Sequence, residues 1–151
     1  MKDGFPRGVQ FTPVPNPLLA SLLEEMDSLD EMKVVMRVIH GLHKLRKVPA
    51  SIGFDDLFSD RTVASMLKSS GTQLEEIVEM SINSAAERGI LLVVDQGNAQ
   101  RRILLNTEPV RRALARQGIA PSIKERKPFE TWANTESAKT KQDAVTFNEK
   151  N

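Results

Sequence analysis

Residues 71–94 read GTQLEEIVEMSINSAAERGILLVV, and they limit the architecture more than any other stretch. Leu74, Ile77, Val78, Ile82 and Ala85 (or Ala86) recur at helical spacing, which predicts a helix from about 73 to about 88. Thr72 and Glu75 form a capping-box pattern at its start, and Gly89 is placed to end it. The aliphatic run 90–94 follows at once. With Arg102-Ile-Leu-Leu105 it flanks DQGNAQ, which predicts a β-hairpin turning at Gly97-Asn98. A helix that feeds directly into a hairpin needs other helices to cover its apolar stripe.

The preceding sequence supplies them. Residues 1–15 are spaced by Pro and Gly and read as an extended arm. Asn16 as cap and Pro17 at the first helical position predict a helix over 17–26 carrying Leu18, Leu19, Leu22, Leu23 and Met26. Ser28 and Glu31 form a second capping-box pattern. They open a helix to about 45 with a stripe of Leu29, Met32, Val35, Met36, Ile39, Leu42 and His43, stopped by Val48-Pro49. Residues 52–54 suit a short strand, and 55–67 one short helix that continues or restarts at Asp60. Beyond the hairpin, Thr107 caps a last helix ending at Gly118. Residues 119–151 are polar and aperiodic and read as a disordered tail, in which Phe129 and Trp132 are suited to dock on a partner or on the domain itself. The expected organisation is thus an arm (1–15), a domain (16–118) and a tail (119–151). The fold class is mainly α with a small β-hairpin, and a helix-turn-helix followed by a hairpin is the winged-helix arrangement.

Several chemistries find no motif. There is no Gly-rich phosphate loop and no GxSxG. His40 and His43 lie three apart on one helix, but without cysteine or a third histidine they read as ordinary helix residues. Asp55-Asp56 suits a helix N-terminus better than a carboxylate pair. The expectation is a non-enzyme without cofactor or metal. No stretch resembles a secretory signal or a membrane span, which suggests a soluble cytoplasmic protein.

The charge pattern bears on partners. Residues 1–118 hold 15 basic and 15 acidic side chains, so any nucleic-acid contact depends on segregation rather than on the sum. Acids cluster at 24–31, at 55–60 and at Glu75, Glu76 and Glu79; bases cluster at Lys44, Arg46 and Lys47 and from Arg88 onward. Six arginines lie within 88–116, against Asp95 and Glu108. Arginine suits phosphate, and equally suits the domain's own carboxylates. The expected DNA contacts are Arg101, Arg102, Arg111 and Arg112, with Thr72, Gln73 and Asn83 on the outward face of the helix at 73–88. Glu76 and Glu79 on that face oppose deep insertion into a groove. Met80 among them suits protein contact, and Phe11, Val14, Leu18 and Leu22 are further expected interface residues.

The run FTPVPNPLL (11–19) followed by LDEMKVVMRVI (29–39) resembles the opening of DnaD-like and phage replication protein O-like winged-helix domains. Ser69 to Gly71, then LEEI (74–77) and AERGIL (86–91), are similar to that family's last helix and its entry into the wing. The resemblance covers about residues 9–106 and does not extend to the tail. It implies a primosome-type accessory role in starting DNA replication. The implied partners are DNA, further copies of the chain, and initiator or helicase-loading proteins. Two alternatives are a winged-helix protein-interaction or oligomerisation module without strong DNA binding, and a transcriptional regulator.

Overall fold

The structure, a computed structural model, describes residues 3–97 and 100–125. Among these the chain is mainly helical, with a three-stranded antiparallel sheet. A single 3-10 turn, Asn16–Leu19, precedes α1 (Ser21–Glu25) and α2 (Leu29–Leu45). Strand β1 (Ile52–Gly53) leads into α3 (Phe54–Phe58), α4 (Arg61–Leu67) and α5 (Gly71–Glu87). Strands β2 (Leu91–Asp95) and β3 (Arg101–Leu105) and helix α6 (Glu108–Arg116) complete the order.

Local chemistry explains most boundaries. Ser28 Oγ accepts from the Glu31 amide at 3.2 Å to open α2, and Thr107 Oγ1 accepts from the Val110 amide at 3.4 Å to open α6. The acid pattern at 55–67 resolves into two helices, because Asp60 Oδ1 takes the Thr62 amide at 2.8 Å and restarts the chain as α4. At the end of α5, Gly89 has φ 83°, the Ile90 amide reaches Ala85 O and the Gly89 amide reaches Ala86 O, both at 3.0 Å. This pair of bonds is a Schellman closure, and it turns the chain directly into β2.

Three boundary expectations are corrected. The helix foreseen over 17–26 is broken at Ala20 (φ −123°, ψ −105°), and Asn16 lies inside the 3-10 turn rather than capping it. Prolines 15 and 17 contribute no N–H there, and the Leu18 and Ala20 amides bond only three residues back. Thr72 does not cap α5. Gly71, at φ 61°, already turns the chain into the helix, so Thr72 sits within the first turn. The stripe on α2 is also rotated: Val34 and Val38 are buried, whereas Leu29 and His43 are exposed.

The sheet order is β1-β3-β2, with Ile52 opposite Ile103 and Val93 opposite the same residue on the other side. Leu91, Val93 and Ile103 face the main core, built with Val34, Val35 and Val38 of α2 and Val78 and Ile82 of α5. Leu92, Val94 and Leu104 point the other way, onto Val110 and Leu114 of α6. Both faces of the hairpin are therefore covered, which accounts for an unbroken aliphatic run where one covered face would favour alternation. Residues 119–125, expected to begin the polar tail, lie against the domain: Ile119 packs on the second cluster, Ile123 on the main core, and the Ser122 amide donates to Val93 O at 2.7 Å. The rest of the expected tail, with Phe129 and Trp132, lies outside the described residues, as does Asn98 of the hairpin turn. No helix among the described residues is long and apolar enough to cross a membrane.

Candidate nucleic-acid interface

The arginines of 88–116 decide whether this segment offers free positive charge. Arg101 begins β3, opposite Asp95. Its guanidinium grips the Glu79 carboxylate of α5 with two nitrogens, and its Cζ lies 3.9 Å from the centroid of the Phe54 ring. The hydrogen bonds that Arg101 donates to Glu79 hold its pKa above its ordinary value, outweighing the opposing effect of burial. Arg102 donates from Nε to Ser51 Oγ at 3.1 Å and from a terminal nitrogen to Ser51 O at 2.9 Å, tying β3 to the chain entering β1. The two arginines flank a cavity of about 280 Å³ that also takes in Asp55 and Asp56, so local acids face them.

The other arginines are similarly engaged. Arg88 Nε donates to Glu31 Oε2 at 2.9 Å, and a terminal nitrogen reaches Glu25. Glu31 is only 2% exposed and also accepts from Ser84 Oγ at 2.9 Å. Its carboxylate thus turns inward to α5 instead of closing the capping box expected at Ser28. Arg111 donates to Asn106 Oδ1 at 2.9 Å, and buried Asn106 in turn donates to Gly89 O and Glu125 Oε1, each at 2.8 Å. Arg112 pairs with Glu108 one helical turn back on the open surface. Of the six, only Arg116 has no polar side-chain partner among the described residues.

Free positive charge lies elsewhere. Lys44, Arg46 and Lys47 are exposed around the end of α2, and none has an acidic partner among the described residues. The negative end of the helix dipole offsets part of one charge, which leaves the cluster clearly positive. His43 and Lys47 border a groove of about 170 Å³ shared with Thr107 and Val110 at the start of α6. This cluster was visible in the sequence as three bases within four residues. What the sequence did not show was that these three bases keep no acidic partner among the described residues, while five of the six arginines at 88–116 are held by the domain's own polar groups.

The remaining expected site residues divide clearly. Thr72, Gln73 and Asn83 are exposed on α5, with Glu75 and Glu76 exposed beside them. Glu79, expected to face a duplex as a free acid, is instead neutralised by Arg101. Among the expected interface residues, Phe11 is 82% exposed and Met80 72% exposed. Val14 is half-buried against the core. Leu18 and Leu22 are corrected: each is 2% exposed within the chain's own core, so neither is available to a partner while the fold is intact. The arm is held by Thr12 Oγ1, 3.2 Å from His40 Nδ1, which gives that histidine a structural partner. No group of His, Asp and Glu among the described residues is arranged to hold a metal ion.

Comparison with known proteins finds no matching family model, no matching curated protein and no matching solved structure.

Proposed function

We propose that α2, the α3–α4 pair, α5 and the β2–β3 hairpin form a winged helix of DnaD-like type. In this reading the chain is a primosome-type accessory module for initiating DNA replication, without catalysis of its own. The observation that supports it best is the succession of a helix, a short strand, a helical turn, a second helix and a hairpin whose inner strand pairs with the short strand. DNA contact is assigned to phosphate neutralisation rather than base reading. The outward face of α5 carries Glu75 and Glu76, which repel a polyanion, while Thr72 and Gln73 reach at most its edge. Lys44, Arg46 and Lys47 form a cluster of charges free to displace counterions, and the wing arginines add to the field while remaining bonded to the domain. Its partners in this role are initiator or helicase-loading proteins. Titration of single- and double-stranded DNA by anisotropy at several salt concentrations tests the reading. Binding that weakens steeply with salt is expected, and no binding to either form at low salt contradicts it.

A second reading, a protein-interaction or oligomerisation module, is favoured by Met80, a large apolar side chain left exposed among acids. Light scattering distinguishes it: a protein that stays monomeric at high concentration argues against oligomerisation.

A further inference from the structure

A groove of about 250 Å³ runs along α5 from Arg88 to Ile77, between that helix and the chain entering α2. Ile77 and Met80 supply its apolar floor, and Asp27 and Asp30 stand on its rim. Arg88 brings no free positive charge, because Glu31 and Glu25 already hold it. The groove is therefore apolar inside and acidic outside, and it fits an aromatic segment flanked by cations.

The chain delivers such a segment to its mouth. Glu125 reaches the end of α5: its carboxyl carbon lies 3.3 Å from where a side chain on Gly89 would begin, and Oε1 accepts from Asn106. The next residues are Arg126-Lys127-Pro128-Phe129-Glu130-Thr131-Trp132. Pro128 fixes its own backbone and biases Lys127 toward an extended conformation. From Gly89 back to Met80 is roughly 13 Å at 1.5 Å per helical residue. Four extended residues cover about 13–14 Å, and seven cover about 23–25 Å. The length of chain after Glu125 thus suffices to bring an aromatic residue of this segment to Met80, and its two cations precede that residue in the sequence.

We infer that residues 126–132 dock in this groove of their own chain, with Phe129 and Trp132 on Ile77 and Met80, and Arg126 and Lys127 against Asp27 and Asp30. Occupancy covers the Met80 face, so the tail competes directly with any protein partner that uses that face. The inference does not depend on DNA binding.

Trp132 is the only tryptophan, so its fluorescence reports on the segment without labelling. The full chain is expected to show a blue-shifted emission maximum and acrylamide quenching reduced by half or more relative to a peptide of residues 124–135. Met80→Glu returns both to peptide-like values without lowering the melting temperature, since Met80 is exposed, and Asp27→Lys with Asp30→Lys moves them the same way. Peptide-like emission from the unaltered chain overturns the inference, as does protection that survives Met80→Glu. Protection that grows with protein concentration places the segment on a second copy and overturns docking within one chain.

Discussion

Two basic regions of this chain carry charge of the same sign to different ends. The arginines from Arg88 to Arg112 dominate the sequence count, yet each is bonded to a group of the same domain: Glu31, Glu79, Asn106 and Ser51, and for Arg112 the exposed Glu108. The smaller group at Lys44, Arg46 and Lys47 has no such partners among the described residues and stays exposed. The difference teaches that positive charge available to a polyanion is set by what already holds each cation. A planar, multiply donating guanidinium on a strand or helix facing acids becomes part of the scaffold, whereas lysines at an open helix end do not.

Substitutions graded by burial sharpen that contrast. The largest effect is expected at Arg88, because Arg88→Met leaves the Glu31 carboxyl 2% exposed and deprived of its cation. Denaturant unfolding should show a loss of about 3 kcal/mol, typical of breaking a buried pair from one side. A loss below the resolution of the measurement removes Arg88 from the scaffold class.

A smaller effect is expected at Asp60, which caps α4 and also accepts from Arg37 Nε at 3.0 Å. Burial pushes its carboxyl upward, but the bonds from Arg37 and from the Thr62 and Val63 amides together outweigh it and hold the pKa below the usual 3.8. A lowered folded-state pKa means stability that is fully present above the unfolded value and is lost as pH falls through the folded one. Asp60→Ala should cost about 1 kcal/mol near neutrality. The gap between variant and parent should close as pH drops below 3.8; a gap that stays constant over that range contradicts the assignment.

Arg112 is the limiting case. Its pair with Glu108 is well exposed at both ends, so Arg112→Ala should shift stability by no more than about 0.5 kcal/mol.

How far the sequence reveals this molecule depends on the distance over which each feature is determined. The caps at Ser28 and Thr107, the Gly89 closure and the hairpin are set by residues a few positions apart, and all are readable in the chain. The break at Ala20, the early start of α5 at Gly71 and the packing of Ile119 and Ile123 are not. The last two residues are single aliphatics in a polar stretch, with no period to announce burial. The candidate site follows the same rule. Arg101 is 22 residues from Glu79, and Arg88 is 57 residues from Glu31, so no local pattern indicates that these ions meet. Leu18 and Leu22 mark the converse error. An amphipathic stripe looks alike whether it covers a partner or its own core, and here it covers the core.

The most direct test sets the two basic regions against each other in one assay. DNA affinity is measured as a function of salt for the unaltered chain, for Lys44→Ala with Lys47→Ala, and for Arg101→Gln with Arg102→Gln. The lysine pair should weaken binding and reduce the magnitude of the log–log salt slope by up to about 2, while the arginine pair leaves the slope essentially unchanged. A slope lowered by the arginine substitutions and untouched by the lysine ones would contradict the assignment of the free charge to the end of α2.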